Sequence, residues 1–311
     1  MNKLLVKVDA SALKDSSCML RFYRTVVEGW REKLNSNDME YGSAVHQFIA
    51  TMKRTDGNFA IAVQETQKRW RVPMFVKPKK QYMTENHLLR TCMDFWQTWQ
   101  AKDQFQTLVS NGQVLVEQHF DWPYYEDEEM AIMISGTADD ICKHQQGTHA
   151  IRDYKTTSSF DSVQYLEGYQ LSCQLRVYRL VVRWYAKKYP DSVWAEMDKK
   201  GVCCFIDGIF IRGKDAPVEF ERSYMFQFKD WELEEFEELL HEKVMALRDM
   251  IHTKLMFPKH TFARDGIITD SCSTKYGPCK FAKVCGMPDA ESAQMFLTNN
   301  FIQKPYDPVK F

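Results

Sequence analysis

Between residues 38 and 54 apolar side chains recur three and four apart, at Tyr41, Ala44, Val45, Phe48, Ile49 and Met52. With Asn37 and Asp38 ahead of them as a start signal, that period predicts a helix and sets His46 beside the apolar stripe. Pro73 and Pro78 break the period, so a boundary or exposed connection is expected near residues 71–82. Leu88, Leu89, Met93, Phe95, Trp96 and Trp99 predict a further helix, and residues 1–110 read as mainly helical. From Gln113 the pattern becomes that of strands. VLVEQHFDW (114–122), MAIMISGTADDICKH (130–144) and THAIRDYKTT (148–157) are β-rich runs, the first two separated by PYYEDEE (123–129), which reads as a solvated hairpin connection. A helix over roughly 162–189 follows, with Leu171, Leu175, Tyr178, Val182 and Tyr185 as its core stripe. Two more strand-like runs, 201–213 and 218–228, precede an amphipathic helix, 230–251, capped by Asp230. The expected fold is mixed α/β: a helical region (1–110), a strand-bearing core (111–255) and a cysteine-bearing C-terminal segment (256–311).

Composition narrows the class. A chain of 311 residues, 44% hydrophobic and 27% charged, can bury a large core, and 13 Gly with 10 Pro give no sign of disorder. No apolar run approaches the roughly 20 residues of a membrane helix, and the N-terminus lacks a signal-peptide pattern, so an intracellular protein without a membrane partner is expected. The net charge of −1 offers no global attraction to nucleic acid; any such partner would be held by a local basic surface or through metal ions.

The candidate chemistry lies where two strands end. SGTADDI places Asp139 near the end of one, and RDYKTT places Asp153 and Lys155 near the end of the next. Two such carboxylates form an oxygen-rich site suited to Mg²⁺. Because side chains alternate along a strand, Asp153 and Lys155 share a face while Tyr154 points into packing. A lysine beside a metal-activated water would stabilise the negative charge that builds on a phosphate during hydrolysis. An isolated D-x-K is more often a surface ion pair; the wider context gives it weight. Asp140 competes with Asp139, and Glu117 on the first strand ranks as an outer acid.

GSAVH (42–46), GTAD (136–139), DYKT (153–156) and QLRVY (174–178), in that order along strand, strand and helix, resemble the PD-(D/E)XK nuclease superfamily and its RecB-like exonuclease branch. The resemblance implies a restriction-endonuclease-like core, a central mixed sheet flanked by helices. It implies His46 as an additional metal ligand, Asp139 and Asp153 as the acids holding Mg²⁺ or Mn²⁺, the Tyr154 carbonyl as a further ligand, and Lys155 as the catalytic lysine. Gln174 and Tyr178 would line the site. The implied substrate is DNA, single-stranded or with free ends, cut to a 5′-phosphate and a 3′-hydroxyl in recombination, repair or replication, with a helicase or recombination protein as a partner. A sequence- or structure-specific endonuclease and a catalytically silent DNA-binding scaffold remain as alternatives.

Nine cysteines, most of them within apolar patterns, argue against a secreted disulfide framework. Cys272, Cys279 and Cys285 differ: they lie close together in a loop-rich segment and invite a soft metal centre. The same resemblance implies Cys18 as fourth ligand of a structural [4Fe–4S] cluster, although the first gap of the late cysteines is six residues where the family's is two. Zinc is the alternative metal. Cys92, Cys142, Cys173, Cys203 and Cys204 read as core. GIFIRGKD (208–215) approaches a P-loop, but Asp215 stands where Ser or Thr is needed, so no nucleotide cofactor is expected. KPKK (77–80) with Lys187 and Lys188 could meet a DNA backbone, and Trp70, Trp96 and Trp99 could stack bases, though solvated surface and helix packing account for them more simply.

Overall fold

The computed structural model describes residues 3–33, 37–70, 80–214, 216–258, 260, 262–274 and 277–305. The expected boundary at Pro73 and Pro78, the first three residues of KPKK, Asp215 and the last six residues lie outside the described residues. In chain order the main elements are β1 (Leu4–Val8), α1 (Met19–Val26), α2 (Asn37–Arg54), α3 (Phe59–Arg69), α4 (Glu85–Asp94), β2 (Val116–Glu126), β3 (Met130–His144), β4 (His149–Thr157), α5 (Ser162–Glu167), α6 (Cys173–Lys188), α7 (Val193–Lys200), β5 (Val202–Phe210), β6 (Glu219–Arg222) and α8 (Asp230–Met256). The chain divides into two compact units, one of residues 1–33, 120–136 and 230–311, the other of residues 34–119 and 137–229.

In the second unit a mixed sheet forms the middle layer. The later half of β3 pairs antiparallel with β4, β4 runs parallel to β5 in register from His149↔Val202 to Thr157↔Phe210, and β6 turns back antiparallel on β5. All nine residues of β5 are buried, as expected of a central strand covered on both faces. One face carries α2, whose Tyr41, Val45, Phe48, Ile49 and Met52 share a cluster with Tyr154 and Ile209. The other carries α6, where the Cys204 thiol donates to the Leu175 carbonyl. Gly42 permits the close approach of α2 to β4, since a Cβ there would sit 2.8 Å from Thr156 Oγ1. The mixed sheet flanked by helices is the expected architecture.

In the first unit β1 runs parallel to the start of β3, from Leu4↔Met130 to Val8↔Ile134. Helix α8 buries Leu233, Leu240, Val244, Leu247 and Ile251 along one stripe, and Trp30, Phe281, Val284, Leu297 and Phe301 form a separate cluster.

Several elements differ from the sequence reading. Residues 1–110 include strands such as β1 and Phe105–Thr107, too short for a periodic signal. The connection read over 123–129 is mostly strand: β2 continues to Glu126, and the turn closes on Asp127, which accepts from the Glu129 and Met130 amides. The helix read over 162–189 is broken, because Ser172 is extended and its hydroxyl caps α6 by accepting from the Leu175 amide. Leu171 is therefore 82% exposed instead of core. The run 218–228 yields only the four-residue β6, and Cys173, at the first position of α6, is half-buried where core was expected. Trp70, Trp96 and Trp99 do pack, against the α2 cluster.

Candidate active site

All the candidate nuclease residues fall in the second unit. Helix α2 brings His46 to the end of β4, where its Nε2 lies 2.9 Å from the Tyr154 carbonyl oxygen. Its Nδ1 lies 3.4 Å from Asp139 Oδ2 and 3.8 Å from Glu117 Oε1. His46, Glu117 and Asp139 each offer a ligand atom within 4.8 Å of the others. The Tyr154 amide donates to Asp139 Oδ2 at 2.7 Å, so one residue's backbone holds both the acid and the imidazole. The sequence reading makes Glu117 an outer acid; the structure places it with Asp139 and His46. Its backbone explains why, since a φ of +50° inside β2 is left-handed and re-aims the side chain in a way no alternation pattern encodes.

Asp153 is fully buried on the opposite face of β4 from Tyr154. Lys155 Nζ sits 2.6 Å from its Oδ2, Gln174 Nε2 donates to its Oδ1 at 2.9 Å, and Tyr178 Oη lies 3.3 Å from that same oxygen. Tyr178 donates in turn to the Thr137 carbonyl at 2.8 Å. The one-residue gap of D-x-K thus places acid and ammonium on one face, and the four-residue gap of Q-x-x-x-Y places both side chains of α6 on the acid. Asp153 stands apart from the tight trio of ligand atoms.

Charge is strongly coupled here. Burial, reinforced by Asp139 and only partly opposed by Lys155, raises the Asp153 carboxyl above its ordinary pKa. Burial works against the Lys155 ammonium, but Asp153 and Asp139 outweigh it and raise the lysine. His46 loses to burial as well, yet Asp139 and Glu117 lift it well above an ordinary imidazole. The His46 Nδ1 and the Asp139 and Glu117 carboxylates face one another as a donor set that a divalent cation could occupy, while the Tyr154 carbonyl meets the other ring nitrogen and holds the imidazole in place. Asp153 Oδ2 makes no well-aligned hydrogen bond despite its ion pair, leaving a lone pair for such an ion. The donors fit Mg²⁺ or Mn²⁺.

Asp140, the competitor, points the other way. Its Oδ2 meets Lys53 Nζ at 3.0 Å and Arg152 Nε at 3.3 Å. Arg152 is wholly buried, reaching Asp103 at 2.5 Å and donating to the Tyr154 hydroxyl at 3.0 Å. Arg222 joins Asp207 and Asp103 from the edge, so three cations and three carboxylates fix the tyrosine whose backbone carries the site. The sequence reading missed this network; its signal was the polar pair Asp140 and Arg152 inside otherwise apolar strands.

A model of the PD-(D/E)XK nuclease superfamily matches residues 11–286. The chain belongs to this superfamily. Its coarse function is accordingly that of a nuclease, with divalent-metal chemistry and DNA as substrate. No curated protein matches the chain. Among the described residues of this PD-(D/E)XK nuclease, no helix is long and apolar enough to cross a membrane.

The four remaining predicted site residues of the PD-(D/E)XK chain lie together in the first unit. Cys18, the N-cap residue of α1, is tight against Gly266, where a Cβ would stand 3.1 Å from its Sγ. The Cys272 amide donates to the Gly266 carbonyl at 3.3 Å, and the Cys279 amide to the Cys272 carbonyl at 2.8 Å beside a short antiparallel pairing of residues 273–274 with 277–278. Arg24 Nη1 donates to Cys285 Sγ at 3.4 Å. Burial raises the Cys272 thiol, with added effect from Cys279 and Cys285. Burial also raises Cys18. Among the described residues no three cysteine sulfurs lie within 4.8 Å of one another.

Proposed function

We propose that the chain is a Mg²⁺- or Mn²⁺-dependent DNA exonuclease of RecB-like type, acting on single strands or free ends in recombination, repair or replication, beside a helicase or recombination partner. The observation that supports it is the convergence of His46, Glu117 and Asp139, braced by the Tyr154 backbone, beside the Asp153–Lys155 pair. Bound there, the cation would lower the pKa of a water and neutralise phosphate oxygens. Lys155, ion-paired with Asp153, would place positive charge against the phosphate. Gln174 and Tyr178 hold Asp153 in the orientation that keeps Oδ2 toward lysine and metal. In this reading residues 1–110 are the N-terminal region that contributes Cys18 and His46, 111–255 the nuclease core and 256–311 the closing segment.

The second part of the proposal is a structural [4Fe–4S] cluster on Cys18, Cys272, Cys279 and Cys285. Its support is the approach of Cys18 and Cys272 to Gly266, with Cys279 bonded to Cys272 and the charges of Cys279 and Cys285 acting on Cys272. A tetrahedral thiolate zinc site, with bonds of about 2.3 Å, needs sulfurs about 3.8 Å apart. A cluster binds each thiolate to a different iron and so accepts wider separations.

The test is digestion of end-labelled linear and closed circular DNA with Mg²⁺, Mn²⁺ or chelator. Linear DNA should be degraded, circular DNA spared and chelated reactions silent. Lys155→Ala and Asp139→Ala should each lose roughly 10²–10³-fold in rate while keeping the fold. Normal cutting by these variants would remove the site assignment, and cleavage of circles would make the enzyme an endonuclease.

A further inference from the structure

Directly after the catalytic strand, residues 158–171 form a rim held down at a few points. Leu166 is buried, and it packs where Gly208 lies in register with Lys155; a Cβ on that glycine would stand 3.3 Å from Leu166 Cδ2. The rim nevertheless turns large apolar groups outward. Phe160 is 86% exposed, Leu171 82% and Val163 53%. Isolated surface apolar residues need no explanation, but three within twelve residues beside a catalytic lysine do.

The surroundings of Phe160 say what would cover it. Arg212 donates to the Ser159 carbonyl, and its guanidinium lies 5.9 Å from the Phe160 ring centroid. Lys80 Nζ reaches Ser158 Oγ at 3.4 Å. Cations therefore stand at both residues ahead of the exposed ring, each partnered by one carboxylate, Glu219 for Arg212 and Asp38 for Lys80. An aromatic face flanked by cations matches alternating bases and phosphates, whereas an apolar protein surface would leave both cations to be desolvated. Five residues of chain place the Cα of Phe160 at most about 17 Å from that of Lys155, within a few nucleotides of the reacting phosphate.

We infer that Phe160 is a stacking platform for an unpaired base of the DNA strand entering the active site, with Arg212 and Lys80 meeting the adjoining phosphates. The inference rests on the nuclease assignment for the identity of the ligand, and it names single-stranded DNA as the form engaged next to the site. Leu171 and Val163 extend the apolar rim on which neighbouring bases would lie.

The test is fluorescence anisotropy of a labelled single-stranded oligonucleotide with the full-length protein in chelator, so that binding is read without cleavage. Phe160→Ala should weaken binding roughly tenfold, within the range expected for losing one stacked base. Phe160→Trp should bind at least as well as wild type, and Phe160→Leu should behave like alanine. On an oligonucleotide abasic at the contacted positions, wild type and Phe160→Ala should bind alike. Equal affinity of wild type and Phe160→Ala for the normal strand would overturn the inference, as would an equal loss on the abasic strand or a leucine variant that binds fully. The nuclease assignment is read separately, from cleavage by wild-type protein with Mg²⁺ or Mn²⁺. Stacking without cleavage would refute that assignment and keep this one; cleavage with unchanged binding would do the reverse.

Discussion

At the scale of single residues, His46 and Asp153 both hold their protons more tightly than free side chains do, for different reasons: neighbouring carboxylates raise the first and burial raises the second. A cation on His46 must displace its proton, so its affinity rises with pH, by up to about tenfold per unit. Calorimetric titration of Mn²⁺ between pH 6 and 8 should show this climb, and His46→Gln should flatten it by one proton. A flat wild-type profile would separate His46 from the metal. The acids themselves were legible because strand alternation is rigid: it put Asp153 and Lys155 on one face, and it set Asp139 and Asp140 to opposite sides, one toward His46 and one toward Lys53. Glu117 was placed too far out because its left-handed backbone breaks that alternation.

Elements show where the pattern was sufficient and where it was not. The bounds of β3 were readable to the residue, since fifteen residues of β-rich sequence are preceded by an acidic turn and followed by Gln145, Gln146 and Gly147. The split between α5 and α6 was not, because the apolar spacing from Leu171 to Leu175 runs straight across the capping hydroxyl of Ser172. Strand β2 illustrates a third case, in which the element was found but its distortion was hidden. A non-glycine residue at φ +50° within a strand costs about 1 kcal/mol, and here the cost aims a carboxylate at the metal ligands. Glu117→Asn should therefore move two properties in opposite directions. Asparagine tolerates this backbone better and removes a negative charge close to Asp139, so stability in urea should rise by about 1 kcal/mol. Mn²⁺ affinity should fall roughly 10–100-fold with the lost donor. A variant that loses stability and keeps its affinity would show that the kink serves packing alone.

For the whole molecule, the division into units was the least legible feature, because it follows the path of the chain and not its composition. The first unit collects residues from the start, the middle and the end of the sequence, with the second unit's residues inserted between them. Such a unit depends on contacts of high sequence separation, of which Met19 with Asp265 and Cys18 with Gly266 are examples. A metal centre on Cys18 and the three late cysteines would close a loop of about 250 residues, an entropic restriction of the unfolded chain on the order of 5 kcal/mol. Removing one ligand should therefore act on this unit and spare the other. Cys279→Ser should lose the visible absorbance and iron content of the wild type. Its urea unfolding should gain an early transition, while Mn²⁺ binding at the His46–Asp139 site persists at low denaturant. Iron, sulfide and zinc analysis of the purified wild type decides which metal closes the loop. A colourless, metal-free wild type as stable as Cys279→Ser would leave the four thiols as ordinary side chains, and the first unit would then rest on its apolar clusters and on hydrogen bonds such as that of Met19 to Asp265.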